Sequence, residues 1–289
     1  MTAPDTSSPR VIRESGSAAL SIGLERPRHP GHLGLIAVQV AGLGAAEGLS
    51  LSLHEPEDRK DRFAALRARE RDLVLAAPLE LLEPAAAGCE AIGCIFAASG
   101  GVLVREDRLG RLRGGETLRV ATPSAGPIGV GLCRRVLQGW AGNQGFAVAE
   151  TQVVVDAVAE RPLEALTAGY DAAWLAFACT DAIEASRAGL AVRLVTTEEA
   201  GLPAVAALEL VACKDRSPQE IARHDALIVA LEAATAGLVA APERAVALWQ
   251  RSGGGDDADR VQATLPFLKT TVDRSPARWR ALHELFAEA

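Results

Sequence analysis

From residue 18 onward, short apolar runs take turns with longer stretches in which apolar positions recur every three or four residues. ALSIGLER at 18–25 predicts a strand, and RPRHPGH at 26–32 a turn-rich loop. Helical spacing over 33–47 stops at Gly48, a helix-ending residue. Alternation returns at 49–54, a charged amphipathic helix fits 58–70, and DLVLAA at 72–77 reads as a buried strand before Pro78. Strand–helix alternation of this kind predicts a parallel sheet flanked by helices.

The stretch 89–105 (CEAIGCIFAASGGVLVR) is long, apolar and glycine-containing, and predicts an extended segment with a bend at Ser99-Gly100-Gly101. The charged stretch 105–119 reads as a solvated linker. A second strand–helix series follows. Strands are predicted at 118–121, 146–155, 171–178 and 191–196, and helices at 127–140, 161–168 and 181–188. Residues 203–213 (PAVAALELVAC) are again extended, and only helices are predicted beyond them, at 218–240, 242–250, 257–268 and 276–288. Two long extended crossovers imply that one lobe is inserted into the other. Residues 17–98 plus 207–289 form lobe one, 99–206 form lobe two, and 1–16 form a disordered polar tail. Two connecting strands make a hinge.

Composition narrows the function classes. The 289 residues carry a net charge of -7, with 30 Lys plus Arg against 37 Asp plus Glu. Without a basic stripe, nucleic acid is excluded as a partner. No apolar run is long enough to span a bilayer, so direct membrane insertion is excluded too. The five cysteines lie in apolar runs without metal or redox spacing, which reads as buried, reduced thiols. The polar N-terminus lacks a secretory pattern, so a cytoplasmic location is expected as the sequence stands, with a periplasmic or lipid-anchored one if the start is misassigned or truncated.

Several segments, in this order and spacing, carry a resemblance. They are Ile22-Gly23-Leu24, Ala46-Glu47-Gly48-Leu49, Arg71-Asp72-Leu73-Val74 leading to Ala77-Pro78, Arg111-Leu112-Arg113-Gly114, LTAGYDAAW at 166–174 and Gly201-Leu202-Pro203. The chain resembles the type II periplasmic-binding-protein-like superfamily. Within it, the chain is similar to the group of nitrate, sulfonate, taurine and pyrimidine binders and thiamine-pyrimidine precursor synthases. The resemblance implies an α/β fold: two lobes, two mixed sheets flanked by helices, and two extended hinge strands. DAAWLAFACTD at 171–181 is similar to the pyrimidine members, and there the resemblance implies an aromatic stacking on a flat ligand. The cysteine-rich, iron-linked motif of the synthases is absent.

Ligands of open α/β sheets sit beyond the carboxyl ends of the strands, which selects candidate loops. Arg28 could pair with an acidic ligand, and His29 and His32 could hydrogen-bond a ring, against the alternative of a solvated loop. A metal site from His29, His32 and His54 is the weaker alternative, and no metal is assigned. Ala77 and Pro78 either meet ligand or start a helix. Ser124 and Gly126 offer backbone amides at a helix start, or serve as its cap. Trp174 is a stacking platform or a core residue, with Thr180 and Asp181 beside it. Glu209 is a cleft carboxylate or an edge-strand residue facing water. Cys179 is a nucleophile only if it lines the cleft, and otherwise an inert buried thiol.

The expectation is a solute-binding protein, similar to the substrate-binding component of an ABC transporter, closing on a small polar or aromatic metabolite. It needs no cofactor, and the resemblance implies a membrane permease as partner. The alternatives are a cytosolic enzyme on the same fold (thiamine-pyrimidine synthase-like, desulfinase-like or chorismate-dehydratase-like) and a cytoplasmic ligand sensor.

Overall fold

Strands as apolar as LVLA and ALELVAC must be covered on both faces, and the chain does this by winding two sheets in turn. The computed structural model describes residues 19–41, 49–56, 61–122, 126–158, 161–275 and 284. Strand β1 (Ala19–Gly23) leads to helix α1 (Leu33–Ala41), β2 (Ser50–His54), α2 (Arg62–Arg67), β3 (Leu73–Ala76) and β4 (Cys89–Ala97). Next come β5 (Gly100–Arg105), α3 (Glu106–Arg113), β6 (Leu118–Thr122), α4 (Pro127–Asn143), β7 (Val153–Ala157) and α5 (Pro162–Thr167). Then follow β8 (Ala172–Phe177), α6 (Asp181–Arg187) and β9 (Val192–Thr196). The chain ends through β10 (Ala207–Cys213), α7 (Pro218–Ala240), α8 (Pro242–Arg251), α9 (Ala258–Thr264) and β11 (Leu268–Asp273).

The first sheet has six strands in the order β11-β4-β10-β3-β1-β2, and the second has five in the order β7-β6-β8-β5-β9. Both are mixed. β1 runs parallel to β2 and β3, while β10 is antiparallel to β3 and β4. β6 runs parallel to β7 and β8, while β5 is antiparallel to β8 and β9. This is the two-lobed type II periplasmic-binding-protein architecture.

Local chemistry fixes the helix starts. The Asp61 carboxylate accepts from the Phe63 amide at 2.9 Å to cap α2. Ser217 and Glu220 form a reciprocal capping box that opens the 23-residue α7. Proline stands at the first position of α4, α5, α7 and α8.

The chain passes from the first sheet to the second at Ala98 and Ser99 and returns over 197–206. The two passages are hydrogen-bonded to each other: the Ala98 amide donates to the Ala206 carbonyl at 2.8 Å, and Thr197 to Gly100 at 3.0 Å. Gly101 is required there, because an added Cβ would collide with the Val195 carbonyl of the neighbouring strand. Each half also reaches into the other. Phe177 and Cys179, from β8 and the turn after it, are buried in the core of the first sheet, and Leu79 lies in the core of the second. Across a separate seam Arg260 of α9 meets Glu184 of α6 at 2.7 Å, and Arg187 meets Asp257 and Asp259 at 2.9 and 2.8 Å.

Several sequence expectations are corrected. Residues 106–113 are helical rather than a linker, with Glu106 and Asp107 in the first turn and Arg111 and Arg113 in the last, the arrangement the helix dipole favours. The tail is not all helix: LKTTVD, with its β-branched centre, adds an edge strand to the first sheet. The segment 89–105 divides into two strands that belong to different sheets. The strand predicted over 146–155 begins only at Val153, after a turn. The expected tail 1–16, Gly48 and the helix at 276–288, save Glu284, lie outside the described residues. Among the described residues no single helix is long and apolar enough to cross a membrane.

Candidate functional site

The carboxyl ends of β1, β2 and β3 face those of β6, β7 and β8, and a cavity of about 430 Å³ lies between them. The first half contributes Glu25, Arg26, Pro56, Arg62, Ala77, Leu79, Glu80, Glu83 and Leu208. The second half contributes Thr122, Gly129, Arg161, Trp174, Leu175 and Phe177. Apolar walls with a few charged groups, at this volume, suit a small organic molecule.

The charged groups are held by partners. The Arg26 guanidinium lies 4.5 Å above the Phe177 ring, bridging the halves, and its Nε is 3.4 Å from Glu25. Arg62 pairs with Glu80, whose carboxylate also accepts from the Ala77 amide at 2.8 Å. Arg161 is held by Glu164 at 2.8 Å, three residues along α5. Glu83 reaches across to the start of α4. A Cβ on Gly126, the N-cap, would overlap its carboxylate, so glycine is what admits an acid to a helix terminus that favours one.

Below Arg26, Glu25 accepts from two imidazoles. Its carboxylate lies 2.8 Å from His29 Nε2 and 3.0 Å from His32 Nε2. The Nδ1 of His29 accepts from the Gly31 amide at 3.2 Å, and that of His32 from the His29 amide at 3.3 Å. Backbone donors at both Nδ1 atoms place the proton of each ring, in its neutral form, on Nε2, pointing at Glu25. Burial by itself would raise the pKa of Glu25, but the charge of His32 and the hydrogen bonds from both rings hold it well below the usual range. Burial, followed by the charge of His32, pushes His29 well below its ordinary value. The three potential ligand atoms lie within 4.8 Å of one another. A cation there would need the Nε2 lone pairs, which this backbone arrangement protonates. The cluster therefore acts as a hydrogen-bonded buttress that fixes the loop carrying Arg26.

A family model described as NMT1/THI5 like matches residues 29–245, about three quarters of the chain. The chain belongs to the NMT1/THI5-like family. No protein of curated function matches the sequence. Among solved structures, the alkanesulfonate-binding protein SsuA from Xanthomonas axonopodis pv. citri bound to MOPS is similar. It has a TM-score of 0.68 at 18% identity, over 94% of this chain and 93% of that one. The periplasmic aliphatic sulphonate binding protein SsuA from Escherichia coli gives 0.66 at 16% identity, over 93% and 87%. A ligand-binding component of an ABC-type import system from Staphylococcus aureus, with zinc bound, gives 0.70 at 11% identity, over 93% and 91%. At these identities the likeness establishes the fold.

In this NMT1/THI5-like chain, Ala77 and Trp174 line the cavity, and Trp174 is also part of the second core. Arg28 sits outside the lining and pairs with Glu55 at 3.5 Å. His29 and His32 are behind the lining, and His54 is elsewhere, its Nε2 3.2 Å from Ser52 Oγ. Glu25 stands in the place that the histidine grouping gave to His54. Pro78 is buried at the start of a short 3₁₀ turn. Thr180 and Asp181 are buried and structural: the Asp181 carboxylate accepts from the Phe177 amide at 2.7 Å. Glu209 is a buried residue of β10, which is central in its sheet, so the edge-strand reading is corrected. Cys179 is buried against the first core, its thiol pushed up by burial to about 11. Ser124 lies outside the described residues.

The lining residues missed in the sequence are chiefly Arg26, Arg62, Glu83, Arg161 and Phe177. Arg26 was within the loop selected after the first strand, two positions before Arg28. For Arg161 the signal was a charged residue immediately before the proline that opens a helix.

Proposed function

We propose that this protein is a solute-binding protein that closes on a small polar or aromatic metabolite between lobe one (17–98 plus 207–289) and lobe two (99–206). The observation that carries the reading is the cavity of about 430 Å³, walled from both sheets at the carboxyl ends of their strands and spanned by two adjacent chain passages. Such passages permit hinge closure with little change inside either lobe. Trp174 and Phe177 would flank the ligand body, while Arg26 and Arg161 would meet its polar end. Ala77 would contribute a wall. The structural neighbours support this role, since those named above are sulfonate-binding proteins or an import-system component. They likewise favour the periplasmic alternative for location and a membrane permease as the receiving partner.

The test is native mass spectrometry of protein purified from its own host, followed by thermal shifts with alkanesulfonates, pyrimidines and small carboxylates. A stoichiometric, chemically unchanged ligand should raise the midpoint, and at a hundredfold excess over Kd it should add about 2.7 kcal/mol of stability. Turnover of the bound molecule would overturn the binding role in favour of an enzyme.

A further inference from the structure

β4 and β10 run antiparallel, and their register sets Cys89 directly opposite Cys213. The Lys214 amide donates to the Gly88 carbonyl at 2.9 Å. A bond between those flanking residues makes Cys89 and Cys213 a non-hydrogen-bonded pair. In such pairs the Cα atoms approach to about 4.5 Å and the side chains share one face. That separation lies within the roughly 4.4–6.8 Å that a disulfide spans. Both thiols are free and buried in one small apolar cluster with Phe63 and Leu66. The other cysteines lack this relation: Cys94 stands opposite Glu209, while Cys133 and Cys179 are on other elements.

Cys213, though buried, borders an opening to the surface. With Arg67, Gly88, Lys214 and Asp215 it lines an open surface cavity of about 370 Å³, at the opposite end of these strands from the ligand cavity. Two cations, Arg67 and Lys214, outnumber the single acid Asp215 among the residues of that lining, which favours an anionic thiol reagent. We propose that Cys89 and Cys213 are a thiol–disulfide couple that staples β4 to β10 in an oxidising compartment.

The step balances with glutathione disulfide as oxidant. The Cys213 thiolate attacks one sulfur of glutathione disulfide and expels a glutathione thiolate. The Cys89 thiolate then displaces the second glutathione from Cys213. The protein is oxidised by two electrons, the oxidant is reduced to two glutathione molecules, and the two protein protons pass to the released thiolates. Burial, then the neighbouring thiol, raises the pKa of Cys89 against the opposing pull of Arg67. Burial also raises that of Cys213, against the pull of Arg69. Exchange should accordingly quicken from pH 7 to pH 9. The bridge would close a ring over 89–213 that contains the whole second sheet. It would lie at the start of β4 and the end of β10, leaving the inter-sheet passages at their other ends free to flex.

The experiment equilibrates the purified full chain in glutathione redox buffers at pH 8, then alkylates and weighs it. Three alkylated thiols of the five are expected under oxidising conditions and five after dithiothreitol. Peptide mapping must use trypsin together with cleavage after Glu90, which separates Cys89 from Cys94. The oxidised form should melt roughly 5 °C or more above the reduced form. A Cys213→Ser chain should keep all four of its remaining thiols under oxidation. Five thiols at every redox ratio, or a bridge through Cys94, Cys133 or Cys179, would overturn the proposal. If the variant does not fold, mapping of the unaltered chain decides alone. No ligand is needed, so the outcome is independent of the solute-binding role.

Discussion

Acid should weaken this protein through a histidine far from the ligand cavity. His224 lies on α7, 3% exposed, and its Nδ1 has no hydrogen-bond partner among the described residues. Burial, followed by the charge of Arg216, drives its pKa down to about 4, although Asp72 and Glu220 pull the other way. In the unfolded chain the ring titrates near its ordinary value of about 6.5. Between those values the unfolded state binds a proton that the native state refuses. Stability contributed by the neutral ring is thus whole above pH 6.5, declines as pH falls, and is gone below pH 4.

One pKa unit corresponds to about 1.36 kcal/mol, so the loss attributable to His224 is about 2 kcal/mol at pH 5 and about 3 kcal/mol once pH is below 4. The assay is urea unfolding at pH 7.5, 6 and 5 on the unaltered chain and on His224→Leu, which keeps an apolar side chain without a titrating group. The loss between pH 7.5 and pH 5 should be smaller in the variant by about 2 kcal/mol, whatever its stability at neutral pH. A residual acid sensitivity should persist in both, because His29 and Glu25 are also displaced downward and act in the same direction. Parallel stability–pH curves for the two proteins would refute the assignment to His224.

Trp174→Ala should weaken the cognate ligand at least tenfold by isothermal titration, since an aromatic wall contributes about 1.4 kcal/mol or more. The loss should appear mainly as faster release. Arg260 and Glu184 are 14% and 17% exposed and join α9 to α6, so Arg260→Ala should cost about 1–2 kcal/mol, between the values for exposed and buried pairs. Small-angle scattering should show a larger radius for that variant without ligand. Gly101→Ala should destabilise by at least about 2 kcal/mol in chemical unfolding, because the added methyl meets a backbone carbonyl that cannot swing aside.

The doubly wound alternation was legible because strands and helices here differ in period and are separated by proline and glycine. Pro127, Pro162, Pro218 and Pro242 each open the helix expected of them. What misled was local composition. Residues 105–119 are polar enough to pass for a linker, yet the helix within them is seated against the second core by buried Leu112 and half-buried Leu109. LKTTVD is a strand because β4 has a free edge to pair with, a fact of tertiary topology that no window of six residues contains.

The site was less legible, for a physical reason that Arg28 and Arg26 illustrate. Both stand in the loop that the strand-end rule selects, and both carry the same group. Which one faces the cavity is decided by Glu25, whose two imidazole donors clamp the loop so that Arg26 lies over Phe177 while Arg28 turns to Glu55. Phe177 in turn comes from a strand 151 positions further on, in the other sheet. The strand-end rule finds the mouth of a cleft from sequence because it follows from chain direction alone. The side chains that line the cleft are set by contacts across it. For that reason Arg26, Phe177 and Glu83, the side chains that bridge the two halves, were the residues that the sequence did not single out.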